Sequence, residues 1–256
     1  MVITQLPYES DFLFNYIARD KINLIINSIN SGLPQNNIVV VSEPEQLSGS
    51  LDSNKVYIID GIIDFTGSGL NIEVPAGGLS LIGQTFEVSG LICSDADYDL
   101  FTSPLGGSGN LLLQDMKISV TGLNSQVFNI NSVTGNEALE FEAINYEFCT
   151  SLGIIDSYRQ LLETGTGRIG GTPGLTFEGS WDGARITTSI VLFPDNLTAL
   201  FKKGSGLTFT GRFITDINCN LPAVGALFDF DETNIVNLYK ISTLHRFKNN
   251  NKNNDN

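Results

Sequence analysis

The residues best suited to chemistry in this chain lie in Gly179-Ser180-Trp181-Asp182-Gly183-Ala184-Arg185, where the single tryptophan stands beside a carboxylate and near a guanidinium. An indole offers a flat apolar face with one polar edge. Sugar-binding surfaces combine such a face, on which a pyranose ring stacks, with planar polar groups. Trp181, Asp182 and Arg185 are therefore candidate glycan-binding residues, and Tyr158 and Arg159, one repeat earlier, are placed to line the same side. The structural alternative is a tryptophan packed over a turn.

Other groupings carry less. His245 is the only histidine and stands near the C-terminal end, which argues against Ser-His-Asp, Cys-His and multi-histidine metal arrangements. Glu140 and Glu142 flank Phe141 and point outward if Leu139 and Phe141 point inward. Asp95, Asp97 and Asp99 form a second acidic group. Glycosidases need two carboxylates about 5 to 10 Å apart, but a solvated face of a sheet supplies that distance as readily, and the solvated face is the reading adopted. The three aspartates lack the glycine-centred spacing of a calcium loop. Gly165-Thr166-Gly167-Arg168-Ile169-Gly170 matches G-x-G-x-x-G, yet Gly171 and Pro173 follow where a dinucleotide site needs a helix, so a loop is expected there. Cys93, Cys149 and Cys219 read as small buried residues, and Asn196-Leu197-Thr198 as an incidental sequon. No catalytic residue, metal or cofactor is assigned.

What must position these residues is a repeat. Gly206-Leu207-Thr208-Phe209-Thr210-Gly211 is echoed by segments whose leading leucines are Leu79, Leu111, Leu139 and Leu175, with a weaker copy at Val236-Asn237-Leu238. Apolar residues two apart on a strand share a face, so each copy reads as a strand with one buried side. A second element recurs as Leu100-Phe101, Val127-Phe128, Leu200-Phe201 and Leu227-Phe228, with Leu161-Leu162 the best match between Arg159 and Leu175. Following strands are expected at Phe86-Glu87-Val88, Ile118-Ser119-Val120, Ile144-Asn145-Tyr146 and Phe213-Ile214-Thr215. A step of about 30 residues with uneven polar turns is the signature of a stacked β array. The expected fold is all-β: a right-handed single-stranded parallel β-helix of about six coils, on the order of 30 Å tall, preceded by an N-terminal α-helix. In this register Leu207 should stack on Leu175.

Residues 1–34 form the helical segment, capped by Ser10 or Asp11 and stopped at Gly32 and Pro34. Its apolar stripe is wider than one neighbour would cover, and Phe14, Ile17, Ile22, Leu24 and Ile25 are candidate oligomer or attachment residues. Capping the open end of the stack is the alternative. Residues 35–244 form the β domain, and residues 245–256 an asparagine-rich tail. The formal charge of −14 argues against nucleic acid, and no apolar run approaches a membrane span, so no membrane insertion is expected. No secretory signal is visible at the start.

Four stretches carry a family likeness: Lys55-Val56-Tyr57-Ile58-Ile59-Asp60-Gly61, Ile72-Glu73-Val74-Pro75-Ala76-Gly77-Gly78-Leu79, Phe101-Thr102-Ser103-Pro104-Leu105-Gly106-Gly107-Ser108-Gly109-Asn110 and Arg168-Ile169-Gly170-Gly171-Thr172-Pro173. Together they resemble the β-helix fibre and tail proteins of tailed bacteriophages, including those of Bacteroidetes-type hosts. The resemblance implies a virion structural role as a homotrimer with host-surface contact, and it identifies no ligand. With the helix and the candidate glycan residues above, the expectation is a non-enzymatic protein attached to other virion proteins through its N-terminal helix and meeting host surface polysaccharide. It brings no catalytic signature. The competing class is a polysaccharide-degrading β-helix enzyme, a tailspike-like glycosidase or a lyase. A lyase base would have to come from Lys117, Arg159, Arg168, Arg185 or Arg212.

Overall fold

The computed structural model describes residues 37–170, 174–192, 199–217, 226–230 and 244–245. β1 (Ile38–Val41) opens the stack; β2 (Val56–Ile59), β3 (Ile62–Asp64) and β4 (Ile72–Glu73) make a first circuit, and β5 (Leu79–Ile82), β6 (Gly90–Cys93) and β7 (Asp99–Thr102) a second. The first two strands then merge into one bent strand per circuit: β8 (Leu111–Val120) with β9 (Gln126–Asn131), β10 (Ala138–Glu147) with β11 (Gly153–Asp156), and β12 (Gln160–Ile169) with β13 (Leu175–Glu178). β14 (Ser180–Trp181), β15 (Gly183–Leu192), β16 (Ala199–Lys203), β17 (Thr208–Phe209), β18 (Phe213–Ile217), β19 (Ala226–Phe228) and β20 (Leu244–His245) follow.

Among the described residues the chain is all-β, with long parallel sheets consistent with a parallel β-helix. The 11-stranded sheet runs β1-β2-β5-β8-β10-β12-β15-β18-β20 with β3 and β6 alongside, and the 7-stranded sheet runs β4-β7-β9-β11-β13-β16-β19. The chain alternates between the two, and each strand pairs in parallel with its counterpart one circuit later. The 7-stranded sheet counts one circuit more than the repeat spacing predicts. The reason is that some circuits are short: Leu139 pairs with Leu161, only 22 residues on.

The merged strands bend at a left-handed residue, Asp115 (φ 53°), Ala143 (φ 51°) and Gly165 (φ 62°). Gly83 holds the same corner one circuit earlier, where a Cβ would come 2.2 Å from the Asp115 carbonyl oxygen, so glycine is needed there. Inside, one column reads Leu79, Leu111, Leu139, Leu161, Ala184 and Phe213, and the next reads Leu81, Leu113, Phe141, Glu163, Ile186 and Thr215. All twelve side chains are buried. The opposing wall reads Phe101, Phe128, Gly153, Leu175, Phe201 and Phe228. Phe128 stacks on Phe101 at 5.5 Å and meets Phe141 across the interior at 5.0 Å. Each such side chain removed from water contributes about 1.5–3 kcal/mol, so the stack is held by its interior.

Several expectations are corrected. Leu175 pairs with Phe201, not with Leu207, and belongs to the second wall. Leu207 leads into β17, which joins β14 in a separate two-stranded ribbon at a corner. The Leu-x-Leu column instead continues through Leu161, so in that circuit the two sequence motifs exchange places. Phe86-Glu87-Val88 is a turn, with Phe86 and Val88 exposed, and it makes an insertion between β5 and β6. Gly165-Thr166-Gly167-Arg168-Ile169 lies within β12 and is not a loop. His245 pairs with Ile217 at the end of the described strands. The helix of residues 1–34, with Phe14, Ile17, Ile22, Leu24 and Ile25, lies outside the described residues, as do Val236-Asn237-Leu238, Asn196-Leu197-Thr198 and Cys219.

Candidate functional site

The corner between the two walls fixes which side chains face solvent. Neighbouring residues on an extended strand point to opposite sides. Tyr158, Trp181 and Phe209 therefore turn inward, and Arg159 and Asp182 turn outward. Trp181 is 1% exposed and Tyr158 0%, with ring centroids 6.0 Å apart and Phe209 following at 6.4 Å. Trp181 donates its indole N–H to the Glu178 carbonyl oxygen at 2.7 Å. The Tyr158 hydroxyl meets that of Ser108, and burial pushes its phenol pKa up. Neither ring is open to a sugar. The expected stacking surface is overturned, and the packed-tryptophan alternative holds.

The charged residues beside those rings do share a surface. Arg159, Asp182, Arg185 and Arg212 are all exposed. Three successive circuits are tied together behind them: the Asp182 N–H donates to the Arg159 carbonyl oxygen at 2.8 Å, and the Ala184 N–H to that of Arg212 at 2.9 Å. A Cβ on Gly183 would lie 2.2 Å from the Arg212 carbonyl oxygen, so the close approach of these corners depends on glycine. Thr210 donates its hydroxyl to the Asp182 carboxylate at 3.1 Å, which fixes the carboxylate from the next circuit.

Two clefts open along this line. One, of about 360 Å³, is lined by Ser53, Ser80, Asn110, Glu140, Arg159 and Gln160 among others. The second, of about 310 Å³, is lined by Gln160, Leu162, Asp182, Arg185, Arg212 and Ile214 with their backbone neighbours. They share Gln160, and together they follow one outer strip from circuit to circuit. The outward column that floors it reads Ser80, Leu112, Glu140, Leu162, Arg185 and Ile214. Of the five residues expected to bind glycan, Arg159, Asp182 and Arg185 are brought together here. Arg212 joins them, and its signal was its place directly before the inward Phe213.

Next to the strip is an acidic group. Glu140 and Glu142 alternate with the buried Leu139 and Phe141, as their spacing requires. Burial, then the Asp115 and Glu140 carboxylates, push Glu142 up to about 7. Burial also raises Asp115, against a hydrogen bond from the Gln114 amide. The other acidic group ties neighbouring circuits together. Asp95 accepts from the Gly67 N–H at 2.8 Å, Asp97 from the Asn124 amide at 3.0 Å, and Asp99 from the Asn129 amide at 2.6 Å, each one circuit away. Among the described residues no cluster of three or more His, Cys, Asp or Glu is placed to hold a metal. Cys93 and Cys149 are buried and unpaired by disulfide.

One further pairing was missed from the sequence. Glu163 and Arg168, both 1% exposed, face each other inside the stack at 3.0 Å, and Thr166 donates its hydroxyl to the same carboxylate at 2.7 Å. The Arg168 guanidinium also lies over the Phe201 ring at 5.0 Å.

The fold and this strip define a protein of stacked parallel sheets with an arginine-bearing groove on its outside. No protein-family model, curated protein or solved structure matches the chain.

Proposed function

We propose that this chain is a virion structural protein of a tailed bacteriophage, a fibre or a tail or head decoration. In this reading its stack is a right-handed single-stranded parallel β-helix that serves as a rigid, non-catalytic column. Residues 1–34 attach it to other virion proteins, three copies associate, and the outer groove contacts host surface polysaccharide. The observation that carries the reading is the pair of clefts meeting at Gln160, which run from circuit to circuit along a stack whose interior is continuous. A rigid scaffold presenting a long groove, apolar at one end with a few placed charges and polar at the other, suits a chain-like ligand. The resemblance of Lys55–Gly61 and Phe101–Asn110 to phage fibre proteins supplies the setting. Location of the chain in a reconstruction of the intact particle tests it, and an assignment to a non-virion compartment rejects it. Light scattering tests the trimer against the 27.8 kDa monomer mass.

A second reading is favoured by one observation. Glu142, raised to about 7 beside Asp115 and Glu140, has the property of a general acid, and a glycosidase needs one such carboxyl with an ionised partner. Incubation with surface polysaccharide, followed by reducing-end and unsaturated-uronate assays, separates the two. The structural reading expects no product; product that disappears in Glu142→Gln establishes the enzyme.

A further inference from the structure

We infer that the groove selects a linear, carboxylate-bearing polysaccharide, with Arg159, Arg185 and Arg212 holding its acidic sugars and Ser53, Asn110 and Gln160 holding neutral neighbours. This deepens the glycan reading above and rests on it.

The starting point is where arginine is spent. The protein is acidic overall, with a formal charge of −14. Four arginines fall among the described residues, and one of them, Arg168, lies in the interior against Glu163. The other three, Arg159, Arg185 and Arg212, all line the two joined clefts. They belong to three successive circuits. Arg185 stands in the column of Leu162 and Ile214, and Arg212 directly precedes the residue paired with Ala184. With about 4.8 Å between strands and about 3.3 Å per residue along them, the three Cα atoms are spread over roughly 8–11 Å. That is a spread suited to charges on an extended chain and too wide for one small anion.

Guanidinium groups take carboxylates through paired charge-assisted hydrogen bonds, which a neutral sugar cannot supply. The rest of the lining decides what lies between the charges. Ser53, Ser80, Asn110 and Gln160 present hydroxyl and amide groups suited to sugar hydroxyls. Glu140 in the first cleft and Asp182 in the second oppose a ligand charged at every step. A phosphate backbone would meet both carboxylates as well as the acidic field of the whole protein. A glycan with an acidic sugar spaced by neutral ones places charge at the arginines and hydroxyls at the amides.

The test is calorimetric titration of the full chain with oligosaccharides of hyaluronan, unsulfated chondroitin and heparosan, in which uronates alternate with neutral sugars, each beside its carboxyl-reduced neutral counterpart, and with single-stranded oligothymidylate. At least one uronate ligand should bind, at least tenfold tighter than its reduced counterpart. Arg185→Gln and Arg212→Gln should each weaken it by about tenfold or more, the loss expected of a hydrogen bond to a charged group. Arg212→Lys should recover part of that loss, and Asp182→Asn should tighten binding. All three side chains are exposed, and thermal melts by circular dichroism verify folding. Equal affinity for a uronate and its neutral counterpart overturns the acidic selection and leaves glycan contact standing. No binding of any saccharide overturns both. Oligothymidylate binding lost in the same arginine variants overturns the carbohydrate assignment.

Discussion

The circuits at β8 and β10 and the circuit at β12 pair in one register yet solve the interior differently. At the second inward column the first two place Leu113 and Phe141, and the third places Glu163. The substitution is tolerated because the same strand also supplies the compensating charge. Glu163 and Arg168 lie on either side of the Gly165 bend, which turns both side chains into the interior, where Thr166 and the aromatic ring of Phe201 complete the surroundings. The difference teaches that register here is set by backbone stacking and a repeated bend, and that the apolar motif follows from it without being required in every circuit.

Breaking that pair should give the largest effect. Arg168→Met leaves an uncompensated buried carboxylate and should cost about 3–5 kcal/mol in urea unfolding, whereas Glu163→Leu combined with Arg168→Met should recover most of the loss or exceed wild type. Equal destabilisation by single and double variants would separate the pair from stability. Next in size is the contrast between neighbours Leu161 and Leu162. Leu161→Ala, at 1% exposure, should cost about 2–5 kcal/mol, while Leu162→Ala on the groove floor should cost well under half as much.

A gentler contrast concerns the outer face beside the groove, where Glu142 stands above its ordinary range. Its folded pKa, about 7, is above its unfolded value, so the folded state binds the proton more tightly. The resulting stabilisation is fully present below about pH 4.3 and is lost as pH rises through about 7. Unfolding followed across that window should show stability falling with pH, and Glu142→Gln should flatten the slope. The smallest effect is expected at the bend. Ala143 holds φ 51°, and Ala143→Gly should stabilise the fold by up to about 1–2 kcal/mol, seen as a rise in Tm, because the left-handed penalty disappears.

The same contrast explains what was legible in the sequence. Where the inward residues are leucine and phenylalanine, as at Leu79, Leu111 and Leu139, alternation alone placed the strands correctly. At β12 the inward glutamate hid the motif, and Leu175-Thr176-Phe177, a good copy at the expected distance, drew the register to the wrong wall. Gly153, standing where the opposing wall has phenylalanine, hid the second motif in the circuit before it. The site was legible in its charges and not in its rings. In the sequence Trp181-Asp182 and Tyr158-Arg159 look like joint surfaces, although alternation sends adjacent side chains to opposite faces. Arg212 became part of the site only once Gly183 and Arg212 were seen at one corner.

The register itself is tested most directly by a disulfide between Glu140→Cys and Leu162→Cys. These outward positions are paired on adjacent parallel strands, within the range of Cα separations that a disulfide accepts. Mild oxidation followed by peptide mapping should show the two positions joined within one chain, while the control pair Glu140→Cys with Thr176→Cys should stay reduced. Crosslinking of the control pair, with none between positions 140 and 162, would contradict the stack described here.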